Sequence, residues 1–315
     1  MSTNRATCEP TCDDRPSQRV RDLSLLYLLC EAGHPRSQSP LRVVVKPSFR
    51  SILHFIFTYV VGERPIYCEW DEYTTNFGLK CARYTPPTRT RGGVVLLYLH
   101  GSGSRGSSFH KMRLQSLPRI VQETVGFPYS VVCPLCPLKT EWSKPHMLTN
   151  LGKLLDEIQQ ESEHIFSEPT VSIVVTGPSM GGLGSYMVAA KFPEKIVATI
   201  PICGGGKKVF ASLVAQKVPS WFFHGANDTC VSVFETDEIV NTIRGLVPNH
   251  LQDHWIRYSR YETCGAPWNI PWCEGHDSFS HCYVHEWEHV ERWIHSLTWS
   301  KTGFLSSVGV DAHFI

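Results

Sequence analysis

The most constraining feature of this sequence is the segment 171–182, which reads VSIVVTGPSMGG. An apolar, strand-forming run leads into a Gly-x-Ser-x-Gly pattern, and a helix-like segment, SYMVAAKF, follows shortly after. In such a strand–turn–helix unit the serine at the turn, here Ser179, is held out above the sheet edge. Gly177 and Gly181 flank it because side chains at those positions would collide as the chain doubles back. The order of the three parts predicts that Ser179 is a nucleophile rather than an ordinary turn serine.

Strand-like and helix-like segments alternate along the chain from about residue 94. The strand-like segments are VVLLYLH (94–100), YSVVCPLCP (129–137), VSIVV (171–175), IVATIPICGG (196–205) and VPSWFFHGAND (218–228). The segments with helical spacing of apolar residues are NLGKLLDEIQQESEHIF (150–166), the stretch after Ser179, FETDEIVNTIRGL (234–246) and HEWEHVERWIHS (285–296). Before them, residues 66–87 indicate two strands around a turn. Continuous apolar strands alternating with helices predict an α/β fold with a doubly wound, mostly parallel sheet and helices on both faces.

A serine nucleophile requires a base, and the base requires a carboxylate to hold it. In sheets of this kind the partners follow the serine in the order acid, then histidine. Asp228 ends the strand-like segment WFFHGAND and is the predicted acid, whereas Asp237 and Glu235 fall inside a helical segment and are expected to face away. His276 lies in the polar loop EGHDSF before the last helix and is the predicted base, with His281 as its main alternative.

Acyl transfer also requires two backbone donors for the oxyanion that forms on the attacked carbonyl. The N–H of Met180, the residue after the nucleophile, is the first candidate. The loop HGSGSRG (100–106) follows a strand directly, and its glycines permit close approach to a substrate. The N–H of Ser102 in this loop is therefore the second candidate. This chemistry uses no cofactor and no metal ion.

One segment suggests a different chemistry. Residues 285–289, HEWEH, match the His-Glu-x-x-His zinc pattern, in which His285 and His289 bind the metal and Glu286 is the base. The extended form of that motif requires a glycine where this chain has Arg292. An amphipathic closing helix is the favoured interpretation, and a zinc metallopeptidase is kept as a remote alternative. The residues expected to face inward in that helix are Trp287, Val290, Trp293 and Ile294.

Six segments of the chain stand in a characteristic order. They are YLHGSGSRG, VVCPLCP with Trp142, TGPSMGGLGSYMVAAKFPEK, IPICGG, WFFHGAND and EGHDSF. Together they resemble the α/β-hydrolases of the phospholipase/carboxylesterase type, and look closest to the branch of predicted peptidases and polyhydroxyalkanoate-depolymerase-like esterases. The resemblance covers roughly residues 66–297. It implies a triad of Ser179, Asp228 and His276, an oxyanion hole at Ser102 and Met180, and no cofactor.

Two departures from the family pattern stand close to these residues. Pro178 replaces the usual bulky residue before the serine, which removes one backbone donor. The segment 264–275, CGAPWNIPWCEG, looks like an insertion just before His276 and is a candidate for shaping the acyl pocket through Trp268 and Trp272. The expected activity is hydrolysis of small-molecule or lipid-like carboxylic esters. The same residues would equally serve an acyl thioesterase or a serine peptidase.

The predicted domain organisation has three parts. Residues 1–40 are rich in Arg, Ser, Pro and Cys with little periodicity, so residues 1–62 are expected to form a partly disordered N-terminal extension. Residues 63–297 form the predicted α/β-hydrolase catalytic domain, and residues 298–315 a C-terminal tail. A chain of 315 residues is long enough to bury one large core.

Charge and cysteine content bear on partners and compartment. Lys plus Arg number 30 and Asp plus Glu 29, which favours neither nucleic acid nor a strongly charged partner. The apolar segment 51–61 is shorter than the about 20 residues that span a bilayer, so no transmembrane span is predicted. Twelve cysteines are too few for a disulfide scaffold. We expect a cytoplasmic protein with mostly reduced thiols, whereas export would permit a bridge between Cys264 and Cys273.

Overall fold

The computed structural model describes residues 68–87, 90–106, 108–267 and 270–303. The predicted N-terminal extension, 1–62, lies outside the described residues. Of the predicted C-terminal tail only the first part is described, and the last helix continues into it as far as Gly303. The three-part domain organisation therefore stays a prediction.

Eight strands form one sheet in the described part of the chain. They are β1 (Asp71–Thr74), β2 (Lys80–Tyr84), β3 (Val94–Tyr98), β4 (Ser130–Pro134), β5 (Ser172–Pro178), β6 (Ala198–Ile202), β7 (Ser220–Gly225) and β8 (Ile256–Tyr261). Their order across the sheet is β1-β2-β4-β3-β5-β6-β7-β8. The β1–β2 and β2–β4 pairs are antiparallel and all other pairs are parallel. The predicted mostly parallel sheet is confirmed.

Helices cover both faces of this sheet. They are α1 (Phe109–Arg113), α2 (Ser116–Glu123), α3 (Pro145–Gln160), α4 (Ser162–Phe166), α5 (Met180–Lys191), α6 (Ala211–Lys217), α7 (Val233–Leu246), α8 (Asn249–Trp255) and α9 (Trp287–Gly303). A short helical turn, Ser278–Ser280, and a π-helical turn, His281–His285, precede α9. Short 3₁₀ turns lie at Arg91–Gly93, Ser102–Ser104 and Lys208–Phe210. None of the described helices has both the length and the apolar character needed to span a lipid bilayer.

The alternation of side chains along the strands divides the core into two clusters, one on each face. Along β3, Val95 and Leu97 face a cluster built with α3, α5, α6 and α7. Val94, Leu96 and Tyr98 face the opposite cluster, built with α1, α2 and α9. All five side chains are at most 2% exposed. A strand buried on both faces reads as a continuous apolar run, which is why the sequence pattern identifies these strands.

Two elements differ from the sequence-based expectation. The helix predicted over 150–166 is two helices, because the backbone leaves the helical region at Glu161 (φ −92°, ψ 11°), and α3 begins earlier, with Pro145 in its first turn. Strand β8 has no counterpart among the predicted strands. Its sequence, IRYSRY, is largely half-buried at the sheet edge and lacks the apolar run of the central strands.

Candidate active site

Ser179 occupies the turn between β5 and α5. Its backbone has φ 57° and ψ −121°, a region that residues other than glycine rarely adopt. The Ser179 N–H donates to the carbonyl of Ile202 at 2.8 Å, so the turn is tied to the end of the neighbouring strand. Such strain is retained where the surrounding structure holds it, and it clusters at functional sites. The predicted strand–turn–helix unit is therefore present with its serine in a strained backbone conformation.

The glycines on either side of Ser179 are required by close packing against one carbonyl group. A Cβ added to Gly177 or to Gly181 would overlap the carbonyl oxygen of Leu99. That carbonyl belongs to the backbone leaving β3 and cannot rotate away as a flexible side chain could. The collision anticipated from the sequence is thus with the neighbouring strand's backbone.

Replacing Gly181 with alanine is expected to lower the free energy of unfolding by about 1–3 kcal/mol, because the backbone must move to admit the methyl group. Denaturant unfolding measures this loss. The matched control is Gly245→Ala in α7, where nothing lies within 4 Å of the added Cβ. That control is expected to be neutral or slightly stabilising. Equal losses in the two variants would contradict the packing argument.

The predicted acid and base are in direct contact. The Nδ1 atom of His276 lies 2.7 Å from Oδ2 of Asp228. The other oxygen, Oδ1, accepts the backbone N–H groups of Cys230 at 2.8 Å and Val231 at 2.9 Å. The carboxylate is therefore fixed by two backbone donors on one oxygen and by the imidazole on the other. Its side chain is fully buried.

A second histidine, to which the sequence assigns no role, also contacts this carboxylate. Nε2 of His224 lies 3.2 Å from Oδ2 of Asp228 and 3.1 Å from the carbonyl of Val231, while Nδ1 pairs with the Thr236 hydroxyl at 2.8 Å. Two acceptors at Nε2 place a proton there. Burial alone raises the pKa of Asp228, but the hydrogen bonds from His224, His276 and the Val231 N–H outweigh it and hold the pKa well below its usual range. Asp228 is thus held as an anion.

Cys203 is the third residue at this pair; it lies in the segment IPICGG, but the sequence assigns it no role. It follows β6 directly, has φ 39°, and its thiol donates to the carbonyl of His276 at 3.5 Å. Burial alone lowers the pKa of His276, yet the neighbouring Cys203 and Asp228 side chains more than offset this and raise it. Cys203, Asp228 and His276 each have one atom of a kind that can bind a metal ion, and these three atoms lie within 4.8 Å of one another. Among the described residues, no other three His, Cys, Asp or Glu side chains are grouped in this way.

The predicted oxyanion loop packs against the serine turn. A Cβ built on Gly101 would lie 3.7 Å from the Cβ of Ser179. His100 orders the start of this loop: its Nδ1 lies 2.7 Å from the carbonyl of Gly101, and its Nε2 accepts the N–H of Cys136 at 3.0 Å. Burial lowers the pKa of His100 to about 4, so the ring is neutral, as this donor–acceptor pairing requires. The Nε1 atom of Trp142 donates to the carbonyl of His100 at 2.9 Å.

The two predicted oxyanion donors belong to the two segments that meet at this contact. Met180 is the first residue of α5, and the N–H groups of a first helical turn have no partner within their own helix. Ser102 begins the 3₁₀ turn after Gly101 and is exposed. The structure places both residues next to the serine turn.

The predicted triad is joined in part. Asp228 and His276 are hydrogen-bonded, whereas no hydrogen bond links the Ser179 hydroxyl to His276 in the described structure. The serine turn and the histidine loop meet instead through the end of β6. There Ile202 accepts the Ser179 N–H and the next residue, Cys203, contacts His276.

The alternative acids and base are engaged elsewhere. Asp237 accepts the hydroxyl of Tyr258 at 2.7 Å and also pairs with Arg260. Glu235 accepts the N–H of Gly206. His281 stacks on the ring of Tyr261, with 4.3 Å between ring centroids. Each of these three side chains is thus bonded or stacked to neighbours other than Asp228 and His276.

The HEWEH segment does not form one helical face. His285 ends the π-helical turn and α9 begins only at Trp287. Glu286 accepts the hydroxyls of Ser259 and Tyr261, and His285 and His289 are exposed. Val290, Trp293 and Ile294 are at most 2% exposed, as predicted, and Trp287 is half-buried. A helix packed through its apolar side, with Glu286 bonded to β8, accounts for this sequence.

The segment 264–275 differs from the expectation in its cysteine pairing. Cys273 is bonded to Cys230, whereas Cys264 is a buried free thiol, so the bridge anticipated between Cys264 and Cys273 on export is wrong. No sequence pattern pairs Cys230 with Cys273, because the two bonded cysteines are 43 residues apart. Trp272 is 75% exposed. Trp268 lies outside the described residues.

Comparison with known proteins supports the fold. No protein-family model matches the chain, and no curated protein matches its sequence. A thermostable esterase shares 22% identity over 73% of this chain with a TM-score of 0.53, and this chain spans 62% of that esterase's length. MGS-M1, an α/β-hydrolase enzyme from a Medee basin deep-sea metagenome library, shares 15% identity over 73% of this chain and 98% of its own, with a TM-score of 0.52.

A third solved structure, the esterase Pf2001 of Pyrococcus furiosus, shares 15% identity over 83% of this chain and all of its own length, with a TM-score of 0.51. These likenesses, with the sheet order, show that the chain has the α/β-hydrolase fold. The resemblance drawn from the sequence is confirmed as far as the fold. The finer branch, predicted peptidases and depolymerase-like esterases, stays a prediction.

Proposed function

We propose that the protein is a serine hydrolase that cleaves carboxylic esters through a covalent acyl-enzyme. The observation that carries the proposal is the strained Ser179 between β5 and α5, at the same sheet edge as the hydrogen-bonded pair of Asp228 and His276. Because fold alone does not specify activity, the argument depends on these side chains. The esterases that share the fold make ester substrates the first class to test.

The proposed reaction begins with proton transfer. His276 carries its proton on Nδ1, facing Asp228, so Nε2 is free to accept the proton of the Ser179 hydroxyl. The serine oxygen attacks the ester carbonyl, and the N–H groups of Met180 and Ser102 stabilise the oxyanion. His276 then gives its proton to the leaving alcohol, and the acyl group stays on Ser179. Water repeats the sequence and releases the acid.

Asp228 has two tasks in this scheme. It keeps His276 in the tautomer with Nε2 unprotonated, and it stabilises the imidazolium that forms during each transfer. A carboxylate bonded to His224 and to two backbone N–H groups is prepared for both tasks, because it is already ionised and does not rotate.

The acyl group and leaving group are proposed as small-molecule or lipid-like esters. An acyl thioesterase or a serine peptidase would use the same residues, and a zinc metallopeptidase through His285, Glu286 and His289 is the remote alternative. A panel of p-nitrophenyl esters, acyl thioesters and aminoacyl amides separates these activities by kcat/KM. A preference for esters of at least about a hundredfold supports the proposal, and activity abolished by a chelator would favour the zinc alternative.

Labelling by a fluorophosphonate probe tests the nucleophile directly. We expect one labelled peptide, carrying the probe on Ser179. A folded protein that takes up no probe would overturn the proposal.

We propose a cytoplasmic location for the protein, as the sequence predicts. The Cys230–Cys273 disulfide is of a kind more typical of an oxidising compartment.

Replacing Cys203 with alanine is expected to move the acid limb of the pH profile of kcat/KM to lower pH. Cys203 raises the pKa of His276, and only the neutral imidazole accepts the serine proton. Removing the thiol lowers that pKa, so a larger fraction of the base is neutral at a given acidic pH. The expected shift is below about one pH unit, because the substitution removes a thiol in contact with His276 and not a full charge.

The control for this variant is Cys133→Ala, which removes an equally buried thiol from β4. Its acid limb is expected to stay where it is in the unsubstituted protein. An acid limb that moves equally in both variants would show that cavity formation, and not the neighbouring thiol, sets the profile.

A further inference from the structure

The two loops that carry the proposed acid and base are joined by a covalent bond. Asp228 lies in the loop after β7, and His276 lies in the loop after β8. Cys230, two residues after Asp228, is bonded to Cys273, three residues before His276. The two Cα atoms are 5.4 Å apart although 43 residues separate them in sequence. The disulfide therefore links the two loops close to the hydrogen bond between Asp228 and His276.

Hydrogen bonds join the same two loops. The Thr229 N–H and hydroxyl both donate to the carbonyl of Glu274, at 2.9 and 3.2 Å. The Asn227 side chain bonds the backbone of Cys264 twice, donating to its carbonyl at 3.0 Å and accepting its N–H at 2.9 Å. Gly275 has φ 79°, and a Cβ there would overlap the carbonyl group of Asn227. The loops are thus in backbone-to-backbone contact, and they retain several links when the disulfide is removed.

We propose that the Cys230–Cys273 disulfide is a positioning element for the Asp228–His276 pair, and that its reduction by a dithiol lowers turnover reversibly. This inference rests on the proposed function. The hydrogen bond between Asp228 and His276 is only 2.7 Å long. Apart from the disulfide, the contacts described above between their two loops are non-covalent. A displacement of about 1 Å in such a group can cost about a hundredfold in rate.

The chemistry of the switch is ordinary thiol–disulfide exchange. A thiolate of the dithiol attacks the Cys230 sulfur, which forms a mixed disulfide and releases Cys273 as a thiolate. The second thiol of the reagent then attacks the reagent sulfur of the mixed disulfide and releases Cys230, so the dithiol becomes a cyclic disulfide. Two electrons and two protons pass to Cys230 and Cys273, which become free thiols. Cys230 is exposed and Cys273 is only 6% exposed, so the attack comes from the Cys230 side.

The experiment uses the full chain as Cys230→Ser, as Cys273→Ser and unsubstituted, with kcat and KM measured for one p-nitrophenyl ester. Both variants are expected to lose about tenfold or more in kcat, with KM within about twofold. The unsubstituted protein treated with a dithiol is expected to fall to the same level and to recover on reoxidation. The variants are expected not to respond to the dithiol.

A second readout separates positioning from loss of folding. A looser Asp228–His276 hydrogen bond lowers the pKa of His276, so the acid limb of the pH profile is expected to move to lower pH in the variants. Partial unfolding would lower the amplitude of the profile and leave that limb in place. The control is Cys68→Ser, which replaces a free thiol that contacts the carbonyl of Val121 and is expected to change neither kcat nor the profile.

The outcomes are distinct. If the unsubstituted protein neither cleaves esters nor takes up a fluorophosphonate, the proposed function fails and this inference fails with it. If it is active and its kcat and acid limb are the same in oxidised, reduced and serine-substituted forms, only the positioning role is overturned. Should a serine variant fail to fold, the positioning role is decided by comparing kcat and the acid limb of the oxidised and reduced unsubstituted protein.

Discussion

Replacing Ser179 with alanine is expected to abolish ester hydrolysis and fluorophosphonate labelling together. The loss in kcat is expected to be about 10⁵–10⁶-fold, as for other hydrolases that lose their nucleophile. The change removes only the oxygen that attacks the carbonyl. The backbone turn is held by the Ile202 carbonyl and by the packing of Gly177 and Gly181, so the fold is expected to stay intact.

The control for the nucleophile is Ser296→Ala, which removes an exposed hydroxyl from α9 and is expected to leave kcat unchanged. Far-ultraviolet circular dichroism shows whether the Ser179 variant is folded. Activity that survives in folded Ser179→Ala and disappears in Cys203→Ala would transfer the nucleophile role to the thiol, which also adjoins His276.

Replacing Asp228 with asparagine is expected to lower kcat by about 10⁴-fold, through the tautomer of His276. Oδ1 of Asp228 accepts two backbone N–H groups, so the amide oxygen of asparagine will occupy that position. The amide nitrogen then faces Nδ1 of His276 and donates to it. The imidazole proton moves to Nε2, which can no longer accept the proton of Ser179.

Steady-state kinetics at the pH optimum measure this loss, with Asp237→Asn as the matched control. Asp237 is also a carboxylate in this half of the chain, but it bonds Tyr258 and Arg260. The control is expected to stay within a few-fold of the unsubstituted protein. A loss of less than tenfold in Asp228→Asn would show that the carboxylate does not set the tautomer.

The parts of the fold that can be predicted from the sequence are those with a local signature. The central strands are buried on both faces and are therefore apolar runs in the sequence. The serine turn is recognisable from the five consecutive residues 177–181, which match Gly-x-Ser-x-Gly. Strand β8 cannot be predicted in this way, because a half-buried edge strand containing two arginines resembles a loop. The same limit explains why α8, which has no fully buried residue, is not expected from the sequence.

The residues of the candidate site also fall into those with a local sequence signature and those without one. Asp228 and His276 are predictable because each stands at a recognisable place in chain order, after a strand and before the last helix. Cys203, His224 and the Cys230–Cys273 bond are not, because each matters only through partners that folding brings together. His224 illustrates this: within the apolar strand WFFHG it reads as a core residue, and only the structure shows its ring against the proposed acid.

Strand β8 also bears on the solubility of the molecule. In the described part of the chain it is the last strand of the sheet, and an edge strand presents backbone groups to which another chain can add. Arg257 lies over the ring of Trp221, 4.9 Å from its centroid, and Arg260 pairs with Asp237. Two cations fixed along this margin oppose the sheet-to-sheet addition that begins aggregation. The arginines that make β8 difficult to recognise as a strand in the sequence therefore also oppose its pairing with a strand of another molecule.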